Sequence, residues 1–286
     1  MPNLKALRKR VTTVRSTQQI TKAMKMVAAA KLRRAEEAVV RARPYASRIG
    51  QLVATLAGGE AGATHPLLVS REVQRIHVVL MTGDRGLCGA YNANLIRRTE
   101  AFLREGGKPA TLITVGRKGA EYFKRRGASI AERLPGPLAT PAVQTARSLG
   151  PRLVEYVLTG ATDAVYLVYS QFRSVISQIP TVQRLIPVEI PQAGQAGGKV
   201  ADFLYEPGAA AVLATLVPRY VTAEIGRALL EAAASEQGAR MAAMDNATRN
   251  ASELIDRLTL QMNRARQAAI TKELMEIVGG AEALKG

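Results

Sequence analysis

Several residue types that organise other proteins are scarce or absent in this sequence. It has no tryptophan, one cysteine and two histidines. Because Cys88 is alone, no disulfide framework can form within the chain, and such cysteine usage fits a reducing compartment. His65 and His77 have no company spaced as metal ligands, so we expect no metal site and no cofactor. No run of about 18 apolar residues occurs, which argues against a membrane-spanning helix.

Aromatic residues and prolines are missing from both ends of the chain. All twelve aromatics lie between Tyr45 and Tyr220, and every proline except Pro2 lies between Pro44 and Pro218. Proline breaks helices and aromatic side chains build globular cores, so this distribution indicates a compact middle between two helical arms. We therefore predict an N-terminal helix at 1–57, a central α/β domain at 58–208 with flexible loops near 57–66 and 192–199, and a C-terminal helix at 209–286.

Both arms carry the heptad spacing of a coiled coil. In the C-terminal arm small or apolar residues recur at alternating intervals of three and four, at Met241, Met244, Thr248, Ala251, Ile255, Leu258, Met262, Ala265 and Ala269. The N-terminal arm has the same spacing, with a polar interruption, at Leu4, Leu7, Val11, Val14, Gln18, Thr21, Lys25, Ala28, Leu32, Ala35 and Val39. Two arms that leave one domain are most simply an antiparallel pair. Counting back from their predicted bases places residue 3 beside residue 262, so we expect the last helix to continue alone beyond its partner.

The middle of the chain alternates between strand-like and helix-like segments. This alternation predicts an α/β domain with a Rossmann-like, mostly parallel sheet. The predicted strands are 73–82, 109–116 and 163–172, with a possible edge strand at 180–190 that Pro187 limits, and the predicted helices are 92–105, 117–127 and 142–160. The segments 57–65 and 192–199 are predicted loops.

One glycine-rich segment, "TGDRGLCGAYN", follows the first strand and precedes a helix. Its spacing, GxxGxxG, is neither the dinucleotide fingerprint nor a P-loop. A helix N-terminus at this place could hold an anion, but a tight strand-to-helix turn explains the glycines better. Cys88 lies in this segment and could be reactive, but it is alone and lacks an evident base. A nucleotide-binding α/β enzyme remains an open alternative.

Negative charge is absent from the beginning of the chain, where the first acidic residue is Glu36. The formal net charge of the whole chain is +17, and residues 1–44 hold twelve Lys or Arg against two acids. Such a balance predicts an acidic partner, whether nucleic acid, an anionic membrane or an acidic protein surface. A basic coiled coil that binds DNA is therefore a second alternative, although the absence of aromatics in this arm weakens binding of single strands or RNA.

Five stretches closely resemble the gamma subunit family of the rotary, proton-driven ATP synthase. They are "TQQITKAMKMVAAAKLRRAEE", "TGDRGLCGAYN", "FLYEPG", "ASEQGARMAAMDNATRNA" and "ARQAAITKELMEIVGGAEAL", in the family's order from about Leu4 to Leu284. The resemblance implies a central rotor shaft that couples proton flow to ATP synthesis or hydrolysis in other subunits, with no catalytic residues of its own and some control over ATPase activity.

The resemblance also implies partners and a location. The partners are a ring of alternating alpha and beta subunits, the epsilon subunit and the membrane ring of c subunits, with one copy of the chain in each complex. An acidic loop of the beta subunits would meet the basic shaft. Neither a transit peptide nor the paired-cysteine insert of chloroplast relatives is evident, so we expect a bacterial protein, peripheral on the cytoplasmic side of the cell membrane.

Matched positions suggest which residues make these contacts. The resemblance places Tyr205 and Glu206 at the foot, which faces the epsilon subunit and the c ring. Its expected contacts between shaft and ring are Met24, Lys25, Arg240, Gln267, Ile270, Thr271, Leu274 and Ile277. Pro218 falls where relatives usually continue a helix, so we expect a kink there or a later helix start.

Overall fold

The computed structural model describes residues 4–58, 60–189, 205–206 and 208–283. The helices are α1 (Leu4–Ala57), α2 (Glu60–Thr64), α3 (Tyr91–Gly106), α4 (Arg117–Arg125), α5 (Ala142–Leu158) and α6 (Ala209–Ala283). The strands are β1 (Ile76–Met81), β2 (Ala110–Val115), β3 (Ile130–Leu134), β4 (Ala164–Phe172) and β5 (Gln178–Ile186). The predicted fold class, long terminal helices with a central α/β sheet, is therefore confirmed.

The five strands form one sheet in the order β3-β2-β1-β4-β5. Strand β1 pairs in parallel with β2 and β4, and β2 pairs in parallel with β3. Strand β5 pairs antiparallel with β4 at one edge and ends immediately before Pro187, as expected for a strand that this proline limits. The sheet is thus mostly parallel.

Apolar side chains cover both faces of the sheet. Val79 and Met81 of β1 face a large core shared with α1, α5 and α6, whereas Val78 and Leu80 face a smaller core shared with α3. The alternation follows from the period of two along a strand, and burial on both faces explains why β1 has no polar face.

Two elements correct the sequence-based predictions. The prediction left residues 130–134 without a strand, but they form β3, a short edge strand in which exposed and half-buried side chains alternate. The segment 57–65 was expected to be a flexible loop, but it contains the short helix α2. The sequence of α2, EAGAT, includes good helix formers, and this local preference outweighed its glycine. The other expected loop, 192–199, lies outside the described residues.

Prolines interrupt neither long helix. Helix α1 continues through Pro44, and α6 begins at Ala209 and continues through Pro218, so the expectation of a later helix start is wrong. Proline removes one helical hydrogen bond. Leu213, Val217 and Val221, which flank Pro218 on α6, are completely buried, and this burial offsets the lost bond.

The chain divides into two compact units, each formed partly by α1 and partly by α6. The sheet unit comprises residues 28–240, and the terminal unit comprises residues 1–27 with 241–286. The predicted division at 57 and 209 follows the ends of the long helices instead, and it stays a prediction.

In the terminal unit, α1 and α6 pack along the predicted heptad seam. Leu7, Val11 and Leu258 are buried together, and the Thr21 and Thr248 hydroxyl oxygens lie 2.8 Å apart. Ile20 and Val27, apolar residues of α1 outside this seam, are exposed. The helices are antiparallel, but the contacts between Thr21 and Thr248 and between Lys25 and Asp245 set a register that differs from the predicted one by about one helical turn.

Within the described ranges, no helix is both long enough and apolar enough to cross a membrane.

Candidate functional site

The last described part of α6 is exposed on all sides. We call residues 266–280 the tip. Every side chain in the tip is exposed, including Gln267 and Thr271, and the Thr271 hydroxyl donates to the Gln267 carbonyl oxygen at 2.9 Å. The apolar residues expected to contact the ring share this exposure, with Ile270 at 50%, Leu274 at 56% and Ile277 at 68%. A cluster of exposed large aliphatic side chains is typical of a surface that another protein covers.

Lys25, another expected contact, lies in the seam of the terminal unit. Its ammonium Nζ donates to the Asp245 carboxylate at 2.5 Å, and the two side chains are 38% and 35% exposed. This hydrogen bond, together with the nearby positive charges of Lys25 and Arg249, lowers the pKa of Asp245 below its usual range. Lys25 therefore has a partner within the chain while part of its side chain stays accessible. Sequence reasoning did not foresee this role of Asp245.

The hydroxyls of Thr21 and Thr248 add a second polar contact to the same seam. Thr21 also donates to the Gln18 carbonyl oxygen, and Thr248 can donate to the Met244 carbonyl oxygen. Polar residues in a coiled-coil seam fix the register of the helices at some cost in stability. These contacts explain why the heptad carries Gln18, Thr21 and Lys25 in place of aliphatic residues.

The remaining surface of α1 in the terminal unit is basic. Its cations at Arg8, Lys9, Arg10, Arg15 and Lys22 are exposed, whereas Met24 is half-buried. Long Lys and Arg side chains can exchange partners, since exposed ion pairs are worth about 0–1 kcal/mol. The structure thus places Met24 and Lys25 beside a basic surface that is suited to contact an acidic surface of another protein.

Arg240 belongs to the sheet unit and is largely enclosed. Its guanidinium Nη2 donates to Glu236 Oε1 at 2.6 Å and lies 3.4 Å from the carbonyl oxygen of Gly86. Its side chain is 12% exposed. Gln267 and Thr271, the residues expected to act with Arg240, belong to the terminal unit. The spacing of Glu236 and Arg240, four residues apart on a helix, was the sequence signal for this pair, and the sequence analysis overlooked it.

The glycine-rich segment forms the turn between β1 and α3, residues 82–90, which we call the β1–α3 turn. Its polar groups bond to the chain itself. The Asp84 carboxylate accepts from the backbone N–H groups of Arg117 and Gly136, and the Asn92 side chain accepts from the N–H of Gly83. These contacts favour a tight turn over an anion site.

Cys88 in this turn is 1% exposed, and Asn92 Nδ2 lies 3.2 Å from its sulfur. Burial raises the pKa of the thiol, with a smaller opposing effect from Arg240. A raised pKa means less thiolate at neutral pH, which makes Cys88 a poorer nucleophile.

The two expected foot residues lie in the short described stretch 205–206. Tyr205 is half-buried and packs against the larger core of the sheet unit, whereas Glu206 is exposed. The described residues contain no group of three or more His, Cys, Asp or Glu placed to hold a metal ion.

Comparison with known proteins places these features in a family. The family model described as "ATP synthase" matches residues 3–284. The ATP synthase gamma chain of Moorella thermoacetica is 51% identical over the full length of both chains, and that of Pelotomaculum thermopropionicum is 50% identical over the same extent.

Two solved structures share the fold. A chain of the Euglena gracilis mitochondrial ATP synthase, in an assembly of OSCP, F1 and c-ring, has a TM-score of 0.69 and 22% identity, covering 98% of this chain and 94% of that one. A chain from the central stalk and c-ring of the Tetrahymena thermophila mitochondrial enzyme has a TM-score of 0.64 and 24% identity, covering 80% and 99%. The full-length matches at about half identity decide the assignment: this chain belongs to the ATP synthase gamma chain family.

Proposed function

We propose that this chain is the rotor shaft of an ATP synthase, which couples proton flow through the membrane sector to ATP synthesis or hydrolysis in other subunits. The observation that carries the proposal is the exposed tip of α6, where Ile270, Leu274 and Ile277 have no cover within the described chain. Membership of the gamma chain family and the likeness to a central-stalk chain support it. The same comparisons favour the rotor over the DNA-binding alternative, since the relatives and structures named above are all ATP synthase components.

The chemistry of the tip suits a surface that turns against its surroundings. Apolar contact has no preferred direction, so it stabilises many angles, whereas a fixed set of hydrogen bonds would hold one angle. The exposed cations of α1 extend this property, because surface ion pairs can break and re-form at small cost.

A shaft of this kind acts by differential stabilisation. Its faces differ, so at each angle it contacts the surrounding catalytic subunits differently and favours a different conformation in each of them. Nucleotide affinity in those subunits then depends on the angle, and nucleotide turnover in turn moves the shaft. The chain needs no catalytic residue for this role.

The partners in this proposal are the ring of alpha and beta subunits, the epsilon subunit and the c ring, with one copy of the chain in each complex. The terminal helices, 1–57 and 209–286, form the shaft, and the segment 58–208 forms the central α/β domain. Tyr205 and Glu206 face the foot partners, and the complex holds the chain at the cytoplasmic side of a bacterial membrane.

Removal of the tip tests the proposal. In ATP synthase assembled with a chain that ends before Ile270, we expect ATP-driven proton pumping to fall severalfold while the sheet unit unfolds at its usual temperature, because the tip adds no buried contact to that unit. Pumping and melting are measured on the same preparations.

A matched pair of substitutions serves as the control. Leu274→Gln and Leu158→Gln each place an amide at an exposed helical leucine, since these side chains are 56% and 54% exposed. Coupling should fall with Leu274→Gln and stay unchanged with Leu158→Gln. Full pumping by the shortened chain, or retention of duplex DNA by the intact chain at moderate salt without ATP synthase subunits, would contradict the rotor assignment.

A further inference from the structure

Eight consecutive residues of α6, from Glu231 to Gly238, are buried on every side of the helix. Their sequence, EAAASEQG, contains no large apolar residue. Small side chains let neighbouring elements approach the helix closely. This is the segment in which α6 passes the carboxyl ends of strands β1 and β4.

Specific polar contacts attach α6 to the sheet at this place. The Tyr91 hydroxyl donates to the Ala232 carbonyl oxygen at 3.1 Å, and the Ser235 hydroxyl donates to the Ser170 carbonyl oxygen at 2.9 Å. A Cβ atom at Gly238 would lie 3.2 Å from the ring of Phe172, so the helix contacts the end of β4 directly.

Glu236 closes the contact on the side of the β1–α3 turn. Glu236 is 2% exposed, and its carboxylate lies against Gly83, where an added Cβ would stand 2.9 Å from the carboxyl carbon. One oxygen accepts from Arg240, which also reaches the Gly86 carbonyl, and the other is buried with no hydrogen-bond partner among the described residues. A buried carboxylate with one oxygen unsatisfied is costly, so its retention at this place requires a reason.

We propose that Glu236 is a positioning residue that, through Arg240, clasps the β1–α3 turn to α6. The clasp consists of the Glu236 carboxylate, the Arg240 guanidinium, Gly83 and the backbone carbonyl of Gly86. It keeps Cys88 enclosed and fixes the sheet to the helix. A further role depends on the proposed function: in the assembled enzyme, the clasp also transmits torque between the sheet and α6.

The physical basis is the strength of a buried, charge-assisted pair. A carboxylate and a guanidinium held out of water interact more strongly than an exposed pair, and removal of one member leaves the other buried without compensation. Burial raises the pKa of Glu236, whereas the hydrogen bond and the charge of Arg240 lower it, with smaller effects from Asp84, which raises it, and from Lys31 on α1, which lowers it. Both members of the pair lie on α6, and they contact the turn at Gly83 and Gly86. We therefore expect loss of the pair to open the turn before it unfolds the core.

Cys88, the single cysteine of the chain, reports on this opening, so no cysteine has to be engineered into the chain. The full chain is treated with a maleimide under native conditions, and the labelling rate of Cys88 is measured. Gly83→Ala pushes the carboxylate of Glu236 aside, and we expect labelling to accelerate about tenfold or more, as for loss of one buried hydrogen bond. Gly86→Ala is the matched control in the same turn, since nothing lies within 4 Å of a Cβ there, and its rate should stay within about twofold of the parent.

A second variant separates local opening from general destabilisation. Glu236→Gln keeps the size of the side chain and removes its charge, so it should also accelerate labelling. In both variants the rate should be insensitive to low urea concentrations, because little surface is exposed by a local opening. Unchanged labelling in both variants, or labelling that rises with urea in step with global unfolding, would overturn the clasp.

Torque transmission by the clasp is tested in the assembled complex. We expect Gly83→Ala to reduce protons pumped per ATP hydrolysed while ATP hydrolysis continues. Faster Cys88 labelling combined with full coupling would overturn the role in torque transmission and would still support the structural clasp. Failure of the chain to assemble with ATP synthase subunits would count against the proposed function itself, whatever the labelling result.

Discussion

Two parts of helix α6 reverse the usual relation between polarity and burial. In the sheet unit, residues 231–238 are buried although they include Glu231, Glu236 and Gln237. In the terminal unit, the tip at 266–280 is exposed although it includes Ile270, Leu274 and Ile277. The comparison teaches that the composition of a helix does not decide which side chains are buried. What decides it is whether another element of the chain lies against the helix.

The reason for each exception is specific. Buried polar groups are tolerated where they are bonded, as Arg227 is to Glu224 and Glu231. Burial alone would lower the pKa of Arg227, but the hydrogen bond and charge of Glu224 raise it above its usual value. Exposed aliphatic groups are tolerated where a partner covers them, which is the role that the rotor proposal gives to the tip.

The sharpest test of this comparison replaces one leucine in each part of the helix. Leu229→Ala removes a fully buried side chain, and we expect the free energy of unfolding to fall by about 2–5 kcal/mol. Leu274→Ala removes a side chain that is 56% exposed, and we expect a change within about 0.5 kcal/mol. Urea unfolding of the isolated chain measures both, and similar losses would show that the tip is packed within the chain.

A second substitution places the seam of the terminal unit between these extremes. Leu258 is 6% exposed, but its cluster contains two further buried residues, Leu7 and Val11. We expect Leu258→Ala to cost about 2 kcal/mol, at the low end for such a truncation, because a small cluster can partly close the gap. Leu260→Ala, at an exposed site on the same helix, is the control for helix propensity. A loss of unfolding free energy as large as that of Leu229→Ala would show that the seam is packed as tightly as the core of the sheet unit.

A smaller effect on stability than that of Leu258→Ala should come from Lys25 and Asp245. Lys25→Glu places two carboxylates together in the seam, so we expect a slightly lower melting temperature and weaker coupling in the assembled enzyme. Adding Asp245→Lys restores an opposite pair, so melting should recover. Coupling should stay low, because the charge that position 25 presents to an acidic partner remains reversed. Recovery of both properties would remove Lys25 from the proposed contacts.

Strong periodic patterns made most of the fold predictable. The heptads indicated the seam residues Leu7, Val11 and Leu258, and the alternation of strands and helices indicated a mostly parallel sheet. Strand β3 escaped prediction because its five residues have too short an alternation to stand out at a sheet edge. The predicted C-terminal helix at 209–286 begins where α6 does, and the alternative of a later start at Pro218 failed because burial of neighbouring leucine and valine offsets the local penalty of proline.

The candidate site was predictable to a smaller extent. Resemblance indicated Arg240, Lys25 and the tip residues as contacts, and which of them touch a partner stays a prediction. The internal partners of Arg240 and Lys25 required the fold, because Asp245 lies 220 residues from Lys25 along the sequence. Side-chain pairing at such separations depends on helix register, which the counting from predicted helix ends missed by about one turn.

The sequence by itself determined the basic, aromatic-free character of the first helix, the two heptad arms and the family of the chain. These are properties of composition and short-range order, which need no knowledge of distant contacts. The tertiary structure alone decided that Glu236 is buried against Gly83, that Lys25 pairs with Asp245 and that the side chains of the tip are exposed. Burial and pairing are set by which elements meet in space, and that information is spread over the whole chain.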